Sequence, residues 1–143
     1  MSKLIVLLAA LLAATWVTAG TPTPDSARTG SLLYQTHCAV CHGTDAHGDG
    51  PWADALAYRP ADLTRIAIRS RGEFPAARVR AIIDGRKPIK SHFPTGMPVW
   101  GDVLKTADTA YSETVVRARI TAIVDYLRTL QVAPEDRRAG DVR

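Results

Sequence analysis

Apolar residues recur every three or four positions from Val116 through Ile120, Ile123, Val124 and Leu127 to Leu130, which is the spacing of one buried helix face. Ser112 precedes this run as an N-cap and Glu113 falls in its first turn, where a hydroxyl acceptor and a negative charge meet free amides. A second helix is expected to open at Pro75 and close at Gly85, with Val79, Ile82 and Ile83 along one side. Ala27 to His37 reads as a helix ahead of the first cysteine, and Pro60 to Leu63 as the start of another. No stretch shows convincing strand alternation.

The two ends follow a different pattern. Every residue from Leu4 to Leu12 is Leu, Ile, Val or Ala, and Lys3 is the only charge before Asp25. This is the layout of an export signal, with cleavage expected after Ala19 in Val17-Thr18-Ala19, or one residue later. The run ending at Val17 is shorter than the roughly 20 apolar residues of a full membrane span, although an uncleaved N-terminal anchor stays open as the alternative. The absence of a Cys near the cleavage site excludes a lipid anchor there. The expected organisation is a signal over 1–19, a flexible linker over 20–26, one domain over 27–132 and a loose tail over 133–143.

Net charge is +4, and losing Lys3 lowers it by one. The distribution is less even than the sum. Between Arg65 and Lys90 stand Arg65, Arg69, Arg71, Arg78, Arg80, Arg86, Lys87 and Lys90 against Glu73 and Asp84 alone. Such a segment is either a solvated helix face or a docking face for an acidic partner protein. Nucleic acid is a poor partner for an exported chain.

The two cysteines decide the chemistry. They form Cys38-Ala39-Val40-Cys41, and His42 follows at once. C-x-x-C-H is the attachment motif of c-type heme. Two thiols one helical turn apart match neighbouring porphyrin vinyl groups, and the next imidazole falls beneath the ring as proximal iron ligand. A structural zinc site needs further ligands that no second Cys pair supplies. A thioredoxin-type motif needs a strand before it, and a disulfide across so short a loop stabilises little.

A second axial ligand is commonly Met. Once Met1 leaves with the signal, Met97 is the one Met left, held in Thr95-Gly96-Met97-Pro98-Val99-Trp100-Gly101. Gly96 and Pro98 define a loop that can lay a thioether across the distal heme face. His92 is the rival ligand, five residues earlier. His37 is expected on the surface, and His47 sits too near the attachment motif to reach the far side.

Cys38-Ala39-Val40-Cys41-His42-Gly43 followed by Gly96-Met97-Pro98-Val99-Trp100 resembles the bacterial class I, mono-heme cytochrome c family over most of Ala27 to Gln131. The resemblance implies an all-α fold of about four to five short helices around one covalently bound heme. It implies that Gly30 and Tyr34 pack against the C-terminal helix near Tyr126-Leu127, and that the Pro51 carbonyl accepts a hydrogen bond from His42. Tyr58-Arg59-Pro60-Ala61-Asp62-Leu63-Thr64 is common in relatives that associate with respiratory complexes. Trp52, Tyr58 and Trp100 are candidates for lining the heme crevice or for ordinary packing, and Arg86 and Lys87 for meeting heme propionates or for staying solvated.

The expected function is that of a periplasmic electron carrier, or heme subunit of a redox complex, and not an enzyme. Cys38 and Cys41 hold heme c, and His42 and Met97 ligate its iron. The partners are an oxidase, reductase or dehydrogenase with an acidic docking face, through which the chain becomes membrane-associated. A heme enzyme or sensor with a labile Met97 ligand is the competing reading. A disulfide module without heme is the third.

Overall fold

The computed structural model describes residues 22–86, 96–106 and 113–133. The export signal, His92, Lys87, Lys90, Ser112 and the tail beyond Ala133 lie outside the described residues, so the expectations placed on them rest on sequence alone. The described residues are helical without strands: α1 (Pro24–His37), α2 (Ala39–His42), α3 (Ile66–Arg69), α4 (Ala76–Asp84), α5 (Trp100–Thr106) and α6 (Glu113–Thr129), with 3-10 turns at Ala53–Ala55 and Leu63–Arg65. The all-α expectation holds, and the described part alone carries more short helices than expected.

Helix α1 starts earlier than its apolar pattern suggested. The linker expected to reach Ser26 gives way at Pro24, which occupies the first turn while the Thr23 side chain accepts from the Ser26 amide at 3.2 Å. Proline suits that position because its missing N–H has no intrahelical partner there. The Ser26 hydroxyl then donates to Asp125 on α6 at 2.6 Å.

The crossing of α1 and α6 is the main packing contact. A Cβ on Gly30 would overlap the Ala122 carbonyl and stand 2.9 Å from the Tyr126 Cβ. The helices therefore touch backbone to backbone. Beside this point Tyr34 and Tyr126 meet with ring centroids 5.4 Å apart, tilted by 52°. Tyr34 is fully buried, and its hydroxyl donates to the Gly43 carbonyl at 2.7 Å. Burial, its main influence, raises the Tyr34 hydroxyl well above its ordinary pKa, so it remains a donor. The aromatic contact inferred from the resemblance is present.

Helix α4 runs between the punctuating residues expected of it. Pro75 caps its start, and Gly85 ends it in the left-handed region at φ 67°. Val79 and Ile83 are buried, and Ile82 is half-buried. On α6 the residues Val116, Ile120, Ile123, Val124 and Leu127 all enter the core. Gln131, just past α6, ties its end to the 3-10 turn at Leu63 and the start of α3. Its amide donates to the Leu63 carbonyl at 2.9 Å and the Leu127 carbonyl at 2.7 Å, while its oxygen accepts from the Ala67 amide at 2.9 Å.

Charge ties α4, α5 and α6 together. Arg86 donates to Asp84 at 2.6 and 2.8 Å and to both Glu113 oxygens at 2.9 and 2.8 Å. Lys105 reaches Glu113 at 2.5 Å. Arg86, a candidate for the heme propionates, is thus engaged by carboxylates of its own chain. Hydrogen bonds from the Arg86 side chain lead in holding Asp84 below the usual carboxylate range, and those from Lys105, then Arg86, do the same for Glu113. A depressed carboxylate stabilises the fold at neutral pH and loses that contribution as pH falls through its folded pKa. Asp84→Asn is expected to cost about 1 kcal/mol or less at pH 7, because the cluster is solvent-screened. In denaturant melts the gap from wild type should close as pH drops below the carboxylate range. A gap independent of pH would show that the pairing contributes nothing.

Candidate functional site

Helix α1 ends at Cys38, whose amide still bonds the Tyr34 carbonyl at 2.8 Å. The chain then turns directly into α2. The Cys41 and His42 amides both donate to the Cys38 carbonyl, at 3.1 and 2.9 Å. Cys38, Cys41 and His42 therefore share one tight turn, with both cysteines free and partly buried. Burial, more than the neighbouring Cys41, pushes the Cys38 thiol up to about 12.

The loop after this turn runs back along it. The Gly48 amide donates to His42 O at 2.8 Å, Gly50 to Cys41 O at 3.1 Å and Trp52 to Val40 O at 3.0 Å. Alternate loop residues thus satisfy carbonyls that a four-residue helix leaves without intrahelical partners. The approach is close enough that a Cβ on Gly50 would stand 2.6 Å from the backbone of Ala39, Val40 and Cys41.

His42 is held from another direction. Its Nδ1 lies 3.1 Å from the carbonyl of Ala61. This corrects the carbonyl that the resemblance assigned to Pro51. The ladder commits 48–52 to the backbone of 40–42, and Pro51 is left exposed. The turn at 60–64 comes back to the imidazole instead. Leu63 N donates to Ala46 O at 2.7 Å, and Asp62 accepts from the Thr64 amide at 2.9 Å and its hydroxyl at 2.6 Å. These bonds orient the Ala61 carbonyl and give the Tyr58–Thr64 stretch its physical role. The helix start expected over Pro60–Leu63 falls at Leu63, as a 3-10 turn with Asp62 as its cap.

Burial lowers the His42 pKa more than the Ala61 contact raises it. The imidazole is neutral at physiological pH, donates Nδ1–H to the carbonyl, and keeps the Nε2 lone pair for a metal. A carbonyl on the other ring nitrogen is the usual means of fixing the tautomer and orientation of a metal-ligating His.

Met97 lies in a non-helical segment ahead of α5, after Gly96 at φ 77°. It is partly buried and packs on the same core cluster as Cys38 and Trp100. His37, expected on the surface, is half-buried with its ring 5.4 Å from Trp100. Burial, then the charge of Arg119, lowers its pKa. Trp100 therefore packs on the helix that leads into the cysteines, whereas Trp52 and Tyr58 stay exposed at 62% and 55%. His47 is exposed, 3.7 Å from Asp62.

The donor set suits heme: two thiols and an oriented neutral imidazole on one turn, with one thioether elsewhere on the same core. It does not suit a self-contained metal site. Among the described residues no group of three or more His, Cys, Asp or Glu side chains could hold an ion. A family model described as cytochrome C oxidase, cbb3-type, subunit III, matches residues 25–127. That family is a c-type cytochrome domain, which works in heme-based electron transfer. Neither the curated proteins nor the solved structures returned a match. The motif, the helical frame and the extent of this match together make the chain a member of the cbb3-type cytochrome c oxidase subunit III family, a class I c-type cytochrome.

Proposed function

We propose that the chain is an exported, single-heme electron carrier, or the heme subunit of a larger redox complex, with heme c bonded to Cys38 and Cys41 and iron ligated by His42 and Met97. The observation that carries this reading is His42 itself, half-buried, neutral and held through Nδ1 by Ala61, one residue after the second thiol. The heme, when bound, supplies an iron that alternates between ferrous and ferric states.

The protein's part is positional. Cys38 and Cys41 fix the porphyrin at two points, and the ladder from Gly48, Gly50 and Trp52 keeps that turn rigid. The Ala61 carbonyl holds the imidazole plane and increases the electron density of the ligating nitrogen. The Met97 thioether would supply the second iron ligand, a ligand type that favours a raised potential. With His42 and Met97 both committed to the iron, the chain would leave no position open to substrate, which suits electron transfer rather than bond chemistry. The partners are redox proteins, an oxidase foremost.

Within the basic segment, Arg69 donates to the Asp62 carbonyl at 2.7 Å and Arg86 is paired. Arg71 and Arg78 remain exposed for an acidic partner. No described helix is long and apolar enough to cross a membrane, and membrane association comes through the partner complex. The enzyme or sensor reading differs in one observable. Ferrous wild-type protein is expected not to bind carbon monoxide at neutral pH, whereas Met97→Ala is expected to bind it. Binding by the wild type overturns the closed, electron-carrying site.

A further inference from the structure

Helices α4 and α6 leave a groove of about 730 Å³ between them, within the roughly 300–1,000 Å³ of small-molecule sites. Small side chains create the room. Ala77 and Ala81 line it from α4, and Ile120 of α6, 1% exposed, supplies an apolar floor. Three arginines line it as well: Arg80 from α4, Arg117 from α6, and Arg86 just past the end of α4. They are not equivalent. Arg86 is committed to Asp84 and Glu113, and Lys105 also pairs with Glu113, so that cluster carries as many negative as positive charges. Asp84 is the only carboxylate lining the groove among the described residues, and Arg86 neutralises it. Arg80 and Arg117 pair with no carboxylate among the described residues. The groove therefore holds an excess of two positive charges. The Arg80 Nε, moreover, is buried without a hydrogen-bond partner among the described residues. A buried charged donor left unpaired is costly, and folded proteins pair such groups with protein, water or ligand.

We propose that the α4–α6 groove binds a phosphate group between Arg80 and Arg117, carried by a small soluble molecule or by a lipid headgroup. Guanidinium forks match phosphate oxygens two at a time. Thr121, half-buried on α6, adds a hydroxyl to the same groove. Donors from two helices suit a tetrahedral oxyanion, which offers acceptors in several directions, better than a planar carboxylate. The alanines and Ile120 take the body of the molecule that carries the phosphate. This binding does not rest on the electron-carrier reading, and its failure leaves that reading untouched.

The test uses mature holo-protein. Calorimetric titrations employ inorganic phosphate, pyrophosphate and succinate at constant ionic strength. Sedimentation compares phosphatidylglycerol vesicles with phosphatidylcholine vesicles. A phosphate-bearing probe is expected to bind saturably and more tightly than succinate. Arg80→Gln/Arg117→Gln is expected to weaken that binding about tenfold or more. Arg28→Gln/Arg59→Gln removes the same charge from exposed positions outside the groove, and is expected to change it less than about twofold. Melts of each variant are read first. Ala81→Leu tests the groove without touching a charge. Position 81 is exposed and Leu is a good helix former, so the fold is kept while the longer side chain occupies the groove. Binding should again fall about tenfold.

Saturation by the soluble anions supports the proposal with a phosphorylated small molecule as ligand. Saturation by phosphatidylglycerol vesicles alone supports it with a lipid headgroup. The proposal is overturned if no phosphate probe binds saturably, or if succinate binds more tightly. It is also overturned if the Arg28/Arg59 pair weakens binding as much as the groove pair, because only the diffuse attraction of a basic chain is then left.

Discussion

Gly30→Leu is expected to abolish cooperative folding of the domain or to lower its stability by about 3 kcal/mol or more. The substitution looks mild by propensity, since Leu forms helix better than Gly. The cost comes from the crossing. Any Cβ at this position overlaps the Ala122 carbonyl and approaches the Tyr126 Cβ, so α1 and α6 must part to admit it. Parting them opens the Tyr34–Tyr126 contact and exposes the side of α6 that buries Ile123 and Leu127. It also loosens Tyr34 from the Gly43 carbonyl, and with it the turn that holds the cysteines. Thr29→Leu, one position earlier on the exposed side of α1, is the control and should change stability by less than about 0.5 kcal/mol. Equal effects of the two substitutions in denaturant melts would show that the close approach is not what holds the helices.

The heme-free protein, made without maturation machinery, is expected to show no cooperative thermal transition, while the holo-protein melts sharply. The reason is the size of the core. Among the described residues the large side chains that are fully buried are Tyr34, Leu104, Val116, Ile120, Ile123 and Val124, and the chain has only two Phe. A core this small leaves a narrow margin over conformational entropy. A covalently held porphyrin that is buried only in the folded state shifts the equilibrium by its full interaction energy. A sharp, native-like melt of the heme-free chain would sink this prediction.

Much of the architecture was legible in the sequence because it rests on side-chain periodicity and punctuation. The α6 face and the limits of α4 carry that kind of signal, while the packing of Gly30 and Tyr34 on α6 was implied by the family resemblance. Helix α1 was read three residues short because Pro24 and Thr23 belong to a cap, and a Pro-rich stretch resembles a linker until the cap is seen. In the site, the cysteines and His42 announce themselves through a spacing that chemistry imposes. Ala61 does not, because it acts through a main-chain carbonyl that any residue offers. The nearby Asp62-x-Thr64 cap was the available hint that this turn is fixed. Gln131 was invisible for a related reason: its partners are backbone atoms 64 and 68 residues away. Arg86 was left between the heme propionates and solvent because its partner Glu113 lies 27 residues on, and charge pairing at that range needs the fold to reveal it.

The most direct test of the central claim is an optical spectrum of mature protein produced with c-heme maturation machinery, recorded for wild type and Met97→Ala. The account predicts covalent heme in both, with the weak far-red band of ferric iron bound to Met sulfur in the wild type and its loss in the variant. Covalent heme without that band in the wild type would contradict His42/Met97 ligation, leaving either His92 as the ligand or an open iron suited to a sensor or peroxidase.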